Sequence, residues 1–287
     1  MPRPATHGKR PCVERVRGFH AFTLIELLVV IAVIGILAAL LFPALTLSRS
    51  RAQAITCMSN SRHLAMAWTM YTGDNGDRLV YNLSSDSALR TLLASAAPSW
   101  VNNVMDWNAS PDNTNMAFVS HSVLAPYAGN SAAIFHCPSD RALSPVQMSL
   151  GWSGRVRSES MNALVGDPGN PSSTNSPSIP QYLKESDLPD PSMVFVFLDE
   201  HPDSINDGTF LNTYASTNAL QAWTSLPASY HDGAGSFSFA DGHTEIHRWS
   251  SASTVRPPTP GGAGLPLLLR ADDTTDFMWV MSRTVGQ

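Results

Sequence analysis

The chain has 287 residues, of which 43% are hydrophobic and 14% are charged, and its formal net charge is −5. Residues 1–21 hold five of the 18 Lys and Arg residues and one of the 23 acidic residues, so the remainder carries a formal charge of −9. The remainder is acidic and has no basic patch interleaved with aromatic residues, which argues against nucleic acid as a partner. Its length allows one sizeable domain, or two small ones, beside a membrane segment.

Residues 1–21 form a basic segment ahead of a long apolar run. Their cationic side chains, against the single Glu14, predict an N-terminus on the cytoplasmic side of a membrane. The cationic residues are Arg3, Lys9, Arg10, Arg15 and Arg17. An ordinary secretory signal is one alternative. The apolar core of such a signal would be shorter and would be followed by a cleavage site of small residues, for which Ala38-Ala39 is the one acceptable candidate. An uncleaved signal anchor is the other.

Residues 22–43 are apolar except for Thr23 and Glu26, and they predict a transmembrane helix. At 1.5 Å per residue the run covers the roughly 30 Å hydrocarbon core of a bilayer. An ionised carboxylate there costs on the order of 3 kcal/mol, so Glu26 requires a function that offsets this cost.

The start of this run resembles the N-terminus of type IV prepilins and of the pseudopilins of type II secretion systems. In those chains a basic leader ends just before a Phe, the fifth mature residue is Glu and the twenty-second is Pro. Counting from Phe22 places Glu26 and Pro43 at these two positions. Because both spacings match, the resemblance is specific.

The resemblance implies cleavage between Ala21 and Phe22, with N-methylation of Phe22 by a prepilin peptidase. Ala21 departs from the family, in which Gly usually precedes the cut, whereas a cut after Gly18 would place Thr23 fifth. The further partners implied are an inner-membrane assembly platform with its cytoplasmic ATPase and other pseudopilin subunits, in a homo- or hetero-filament.

Glu26 is predicted to pair with the α-amine that cleavage creates on Phe22 of a neighbouring subunit. Two unfavourable charges near the membrane then become one ion pair, which also sets the axial stagger between subunits. Glu26 and Pro43 are therefore the predicted assembly residues.

Residues 44–73 are predicted to continue the helix as an amphipathic segment. Apolar residues fall within one arc of about 120° at 100° per residue, and the basic residues lie mostly outside it. The arc contains Leu47, Ala54, Cys57, Leu64, Trp68 and Tyr71. Gly73-Asp74-Asn75-Gly76 then ends the helix. The expected fold is α+β, with a long helix packed on an antiparallel β-sheet head, as in pilins.

Residues 74–287 form the predicted head. Six prolines indicate a loop over 166–192, residues 193–198 a buried strand, residues 256–264 a loop and residues 277–281 a last strand. A hairpin is predicted within 231–249, with Asp241-Gly242 as a two-residue turn of positive φ.

That turn predicts the register of the hairpin. Phe239 should face Thr244, and Phe237 should face Ile246, so that one face is apolar. The other face, which carries Ser236 and Ser238, is expected to be solvated.

Two cysteines, Cys57 and Cys137, remain after the leader is removed. In an oxidising compartment a disulfide between them is plausible, and closing a loop of about 80 residues would contribute on the order of 4 kcal/mol. Two buried free thiols are the alternative. A zinc site is not expected, because neither cysteine has a further thiol or histidine at zinc-ligand spacing apart from the adjacent His136.

His231, Asp241 and Gly242 form a His-x9-Asp-Gly pattern that resembles a signature of a subfamily of large bacterial prepilin-like proteins. A catalytic His–Asp pair would need a nucleophile or a metal, and no nucleophile motif is present. A structural role at the hairpin is therefore preferred, and the chain is not expected to be an enzyme.

Oxygen-bearing side chains crowd the segment after the buried strand and suggest a calcium site, since Ca²⁺ prefers carboxylate and carbonyl oxygens. They are Asp199, Glu200, Asp203, Asn206 and Asp207. Their spacing does not match the helix–loop–helix calcium loop. A solvated acidic turn is the alternative.

The sequence thus predicts a single-pass protein of a bacterial inner membrane, with a cytoplasmic N-terminus and a periplasmic or extracellular head, that assembles into a type II secretion or type IV pilus-like filament. The alternative is a membrane-tethered binding module for a surface ligand or polysaccharide. Its candidate stacking residues are Trp100, Trp107, Trp152 and Trp223.

Overall fold

The computed structural model describes residues 23–83, 99–168, 181–214, 220–261 and 264–285. The chain divides into two units, residues 1–47 and 48–287. The predicted leader and residues 169–180 of the predicted proline-rich loop lie outside the described residues. The 3-10 turns are Pro111–Asn113, Pro126–Ala128, Ala132–Phe135 and Glu185–Asp187, and the α-helices are α1 (Leu24–Asp74), α2 (Ala117–Ser120), α3 (Pro145–Ser149) and α4 (Thr275–Val285).

Helix α1 is 51 residues long and contains both predicted halves. Among the described residues, Leu24–Phe42 is the one stretch of helix long and apolar enough to cross a membrane, with a mean hydropathy of 3.0. Gly76 and Asp77 adopt φ values of 64° and 71° directly after the helix, a conformation that ends helices. Helix α1 thus begins and ends within a few residues of the bounds that the sequence predicts.

The second half of α1 buries one stripe of side chains. Cys57, Ser61, Leu64 and Trp68 are all fully buried, at spacings of three and four residues that place them on one face. The amphipathic interpretation is confirmed for the described members of the predicted arc, and Ser61 extends it with a polar residue that periodicity alone did not select.

The strands form one main sheet of five strands and a two-stranded ribbon among the described residues. They are β1 (Glu159–Asn162), β2 (Phe195–Asp199), β3 (Thr209–Phe210), β4 (Ala222–Trp223), β5 (Ala234–Phe239), β6 (Thr244–Arg248) and β7 (Leu267–Leu268). The order in the main sheet is β3-β1-β2-β5-β6, and β4 pairs with β7. Strands β1 and β3 are parallel, so the sheet is mixed rather than antiparallel throughout. The α+β class is confirmed.

A bulge in β2 directs its side chains to the two faces of the sheet. Phe195 pairs with Phe239 and Phe197 with Ser238, so Val196 is an extra residue on β2. Val196 and Phe197 join the apolar cluster that contains Trp68 of α1. Phe195 and Leu198 join a second cluster, which contains Phe277 of α4. The main sheet therefore lies between apolar layers to which α1 and α4 contribute separately.

The hairpin of β5 and β6 is present, but its predicted register is wrong by one residue. Ser238 pairs with Thr244, and Phe237 with Glu245. The connection has three residues, 240–242, and positive φ is confined to Gly242, at 86°. A left-handed glycine at the end of a three-residue loop adds one residue and shifts every pair.

The prediction that one face of the hairpin is solvated is also wrong for β5. Ser236 and Ser238 are fully buried, because β5 is a central strand between β2 and β6. Residues 277–281, predicted as a strand, belong instead to α4. Their buried positions continue to Thr284 with helical spacing, which a five-residue apolar run does not reveal.

Candidate functional site

Glu26 lies in the first turn of α1 and caps the helix. Its carboxylate oxygen Oε2 accepts hydrogen bonds from the Thr23 backbone N–H at 2.8 Å and the Thr23 hydroxyl at 2.7 Å, while the Glu26 N–H donates to Thr23 Oγ1 at 3.3 Å. This reciprocal capping box satisfies donors that the start of a helix leaves open. Sequence reasoning missed this role, although Thr-x-x-Glu before an apolar run is its usual signal.

The structure says less about the other residues predicted for processing and assembly. Ala21 and Phe22 lie outside the described residues, so the cut between them stays a prediction. Pro43 lies within α1, which runs through that position. Its role in assembly also stays a prediction.

A second candidate site lies in the head, where polar side chains of three strands line up across the sheet. Asp199 ends β2 and is opposite Glu159 of β1. Ser236 of β5 donates from its hydroxyl to Asp199 Oδ2 at 3.0 Å, and Ser158 donates to Asp199 Oδ1 at 3.0 Å. Both Asp199 oxygens therefore have hydrogen-bond donors, although the side chain is fully buried.

Helix α1 places two further polar groups against this row. The Cys57 thiol lies 2.6 Å from Asp199 Oδ2, donating to it, and 3.4 Å from Ser236 Oγ. One turn later, the Ser61 hydroxyl donates to Glu159 Oε1 at 2.6 Å. The polar residues within the buried stripe of α1 are thus explained by the polar row that they meet.

Cys137 and His231 complete the site from two loops. Cys137 follows the 3-10 turn Ala132–Phe135, and its backbone N–H donates to Ser158 Oγ at 2.7 Å. His231 is positioned by a tight turn before β5, in which its N–H bonds to Ala234 O at 3.2 Å. The Cys137 sulfur lies 3.4 Å from His231 Nε2, and His231 Nε2 lies 3.9 Å from Asp199 Oδ2.

We call Cys57, Cys137, Asp199 and His231 the four-donor cluster. Each offers one metal-ligating atom, and these atoms all lie within 4.8 Å of one another. All four residues are buried. Two sulfur atoms, one imidazole nitrogen and one carboxylate oxygen are atoms that bind transition metals.

Burial sets the protonation states in this site. It raises the pKa of Asp199 to about 6, and it lowers the pKa of His231 to about 4. Burial also raises the pKa of both thiols, that of Cys57 most strongly, and raises the pKa of Glu159. Neutral thiols and a neutral imidazole are the forms expected near pH 7, since the apolar surroundings disfavour charge.

The predicted disulfide is not formed in the structure, where Cys57 and Cys137 are both free thiols. Their sulfur atoms are close, but each is directed at a different partner. Cys57 contacts the Asp199 carboxylate, and Cys137 contacts the His231 ring.

The carboxylates predicted to hold calcium do not converge among the described residues. Asp199 and Glu200 are consecutive and point apart, as neighbouring residues at a strand end do. Glu200 Oε1 accepts from Ser204 Oγ at 2.7 Å, which takes this carboxyl away from the four-donor cluster. Asp199 alone belongs to that cluster.

Asp203 and Asp207 are also occupied by other hydrogen bonds. Asp203 accepts from the Thr259 N–H at 2.8 Å, and Asp207 accepts from the Thr209 N–H and hydroxyl at 2.8 and 2.7 Å. The Asp207 bonds cap a local turn, whereas the Asp203 bond reaches a residue 56 positions further on. Asp199, Glu200 and Asp207 are buried, so the alternative of a solvated acidic turn does not describe them either.

The histidine and the aspartate of the His-x9-Asp-Gly pattern lie in different surroundings. His231 is in the buried cluster, whereas Asp241 is half-exposed in the hairpin loop and contacts His243 Nδ1 at 2.5 Å. No His231–Asp241 pair exists, and a structural role for the pattern is the interpretation that fits. The resemblance to a subfamily through this pattern stays a prediction.

The candidate stacking residues divide into two groups. Trp100 and Trp223 are fully buried core residues. Trp107 and Trp152 are partly buried, and the Arg155 guanidinium lies over the Trp107 ring, 4.9 Å from its centre. At most the last two are available for stacking on a ligand.

A protein-family profile described as the Prokaryotic N-terminal methylation motif matches residues 16–42. The match covers the end of the leader, the predicted cut and most of the apolar run. No curated protein and no solved structure gives a significant match to the chain.

An apolar N-terminal helix of membrane length, followed in the chain by an α+β head, is consistent with a single-pass membrane anchor. The match of the methylation motif to residues 16–42 supports a prepilin-like leader. Such a motif indicates a structural protein of the pilin type rather than an enzyme, and it implies processing by a prepilin peptidase and assembly with other pilin subunits.

Proposed function

We propose that the protein is a pseudopilin-like subunit that assembles through α1 into a filament of the type II secretion or type IV pilus kind. The observation that carries the proposal is the methylation motif over residues 16–42, with Glu26 in the first turn of the apolar helix. Extraction of an apolar helix from the bilayer is offset when the helix packs against those of neighbouring subunits.

Glu26 exchanges partners during assembly in this proposal. In the single chain its carboxylate accepts hydrogen bonds from Thr23. After cleavage before Phe22, the new α-amine of a neighbouring subunit offers a charged donor, and a charge-assisted bond is roughly twice as strong as a neutral one. The capping contact therefore holds the carboxylate until a subunit docks, and the ion pair replaces it.

The remaining partners follow from the same proposal. A prepilin peptidase cuts between Ala21 and Phe22 and methylates Phe22, and an inner-membrane platform with its ATPase drives subunit addition. The basic leader keeps the N-terminus cytoplasmic, which places the head in the periplasm or outside the cell.

The first test compares Glu26→Ala with Thr23→Val in the native host. Glu26→Ala should abolish filament assembly and leave membrane insertion intact, since the apolar run is unchanged. Thr23→Val removes a capping hydroxyl but keeps the carboxylate, so assembly should persist. Cross-linking and membrane fractionation measure the two properties separately. Equal loss of assembly in both variants would contradict an intersubunit role for Glu26 and leave a capping role alone.

The processing step is tested by intact mass and N-terminal analysis of protein recovered from membranes. A mature chain that begins at methylated Phe22 is expected. A chain that keeps residues 1–21 would overturn cleavage at Ala21 and favour the alternative function.

That alternative is a membrane-tethered binding module. A surface depression on the head, lined in part by Met116, His136, Trp152 and Arg155, is where such a module would hold a ligand. A tethered module should be indifferent to Glu26→Ala, so the variant pair above also separates the two functions.

A further inference from the structure

We propose that the four-donor cluster is a structural zinc site that fastens α1 to the sheet of the head. Cys57 Sγ, Cys137 Sγ, Asp199 Oδ2 and His231 Nε2 would be its ligands. The proposal concerns the stability of the head and is independent of filament assembly.

The distances support a tetrahedral ion with a small adjustment. Zinc–sulfur bonds of about 2.3 Å and zinc–nitrogen or zinc–oxygen bonds of about 2.0–2.2 Å place two ligands roughly 3.3–3.8 Å apart. The Cys137–His231 and His231–Asp199 separations are 3.4 and 3.9 Å. The Cys57–Asp199 separation of 2.6 Å is shorter and must open by about 1 Å, through side-chain rotation, to admit the ion between them.

The donor set selects zinc rather than calcium or magnesium. Thiolate and imidazole ligands suit zinc, whereas calcium and magnesium take oxygen ligands. Four protein donors, all buried, fill the tetrahedron and leave no position for water or substrate. Zinc sites of this closed kind are structural, because a catalytic zinc keeps one position open.

The surroundings of the cluster already orient two of its ligands. Ser158 donates to Asp199 Oδ1 and accepts from the Cys137 backbone N–H, so one hydroxyl positions two ligands. His231 Nε2 is the ring nitrogen aimed at the cluster, whereas Nδ1 is buried without a hydrogen-bond partner, so the outer bonds orient Asp199 and Cys137 but not the His231 ring. Conserving ligand orientation through outer hydrogen bonds is typical of protein metal sites.

Binding changes the charges of the buried site. Zn²⁺ enters as the two thiols lose their protons to solvent, because a coordinating thiol is deprotonated outright. Two thiolates and one carboxylate then surround a divalent cation, so the net charge of the assembled site is −1.

The ligands come from distant parts of the chain. Cys57 and Asp199 are 142 positions apart, and Cys137 and His231 are 94 apart. An ion bound by all four closes long loops between α1, β2 and the turn before β5. Such closure removes much of the conformational freedom of the unfolded chain.

The test uses the full chain, purified in detergent from membranes of its host without chelator. Elemental analysis should find one zinc per chain. Protein prepared with cobalt in place of zinc should show the intense d–d absorption of a tetrahedral ion and a thiolate-to-cobalt charge-transfer band in the near ultraviolet. These readouts do not depend on filament assembly, so their failure and the failure of the proposed function are distinguishable.

His231→Gln and Cys137→Ser should each lose the zinc and the cobalt spectrum, and His243→Gln is the matched control. His243 is a half-exposed histidine of the same hairpin that contacts Asp241 instead of the cluster. Its variant should keep one zinc and an unchanged spectrum.

The wild-type protein provides the outcomes that do not require a variant to fold. A metal-free chain in which Cys57 and Cys137 can both be alkylated would overturn the proposal. So would a metal-free chain that is two mass units lighter and gains two alkylatable thiols on reduction, which would establish the Cys57–Cys137 disulfide instead.

Discussion

Asp106 organises the loop that contains Asn108 and Asn113. Its carboxylate accepts hydrogen bonds from the Asn108 N–H at 2.9 Å, from Asn108 Nδ2 at 3.0 Å and from Asn113 Nδ2 at 2.9 Å. In return, the Asp106 N–H donates to Asn113 Oδ1 at 3.0 Å. Partial burial raises the pKa of the carboxyl, but these bonds outweigh it and bring the pKa below 3.8.

Asp106→Asn should therefore destabilise the head in a pH-dependent way. Because the folded-state pKa is depressed, the stabilisation by Asp106 is complete above the unfolded value of 3.8 and is lost as the pH falls through the lower folded value. We expect a loss on the order of 1 kcal/mol at pH 7 and a smaller loss at about pH 3, below the unfolded value of 3.8. Denaturant unfolding at the two pH values measures it.

The control for that prediction is Asp272→Asn. Asp272 is largely exposed and pairs with Arg270 at the surface, at 3.3 Å, so its loss should change stability little at either pH. An equal effect of the two substitutions would show that the Asp106 network adds nothing to the folded state.

At the same scale, the four-donor cluster marks what could be predicted from the sequence and what could not. The sequence suggests a Cys57–Cys137 disulfide or two buried free thiols, and it places Cys57 on the buried stripe of α1. His231 and Asp199 were noticed too, but each was assigned to another hypothetical site. Ligands separated by 94 and 142 positions carry no local spacing, and pairing between strands brings them together.

The elements of the fold differ in how strongly local sequence specifies them. Helix α1 was predictable because its apolar arc repeats over several turns. Strand β2 was predictable because six consecutive apolar residues are too few for most buried helices. The run at 277–281 is equally short, and the buried residues that define α4 as a helix include Thr284, a polar residue that hydropathy does not count.

The amphipathic half of α1 is tested by substituting its two faces. Trp68 is fully buried, and Met70, two residues later, has 54% of its surface exposed. Trp68→Ala should destabilise the head by about 3–5 kcal/mol, because it removes a large buried side chain and leaves a cavity. Met70→Ala should change stability by less than about 0.5 kcal/mol.

Thermal unfolding followed by near-ultraviolet circular dichroism would compare the two variants. A similar effect at both positions would contradict the assignment of one buried stripe. A large effect of Met70→Ala alone would place the core contact on the opposite face of α1.

The molecule as a whole divides at a point that does not coincide with the end of an element. The boundary between units falls between Leu47 and Ser48, within α1, so residues 48–74 of the helix belong to the head. They contribute Leu64 and Trp68 to the larger apolar cluster and Cys57 to the four-donor cluster.

A fragment of residues 48–287 should therefore fold, whereas a fragment of residues 75–287 should not. The shorter fragment would expose the apolar surface that Leu64 and Trp68 cover and would leave Glu159 Oε1 without its Ser61 donor. Cooperative thermal unfolding is expected of the longer fragment alone. Two fragments with the same unfolding midpoint would mean that the head does not need the helix.

The two edges of the main sheet have a consequence for the proposed filament subunit, whose copies would have to stay separate before assembly. Edge strands are templates for aggregation unless they are short or charged. Strand β3, at one edge, has two residues, and β6, at the other, carries Glu245, His247 and Arg248. Neither edge strand is therefore a good template for pairing with a strand from another copy. The head is thereby protected from amyloid-like pairing at high local concentration in a membrane, and contact between copies is left to surfaces other than the sheet.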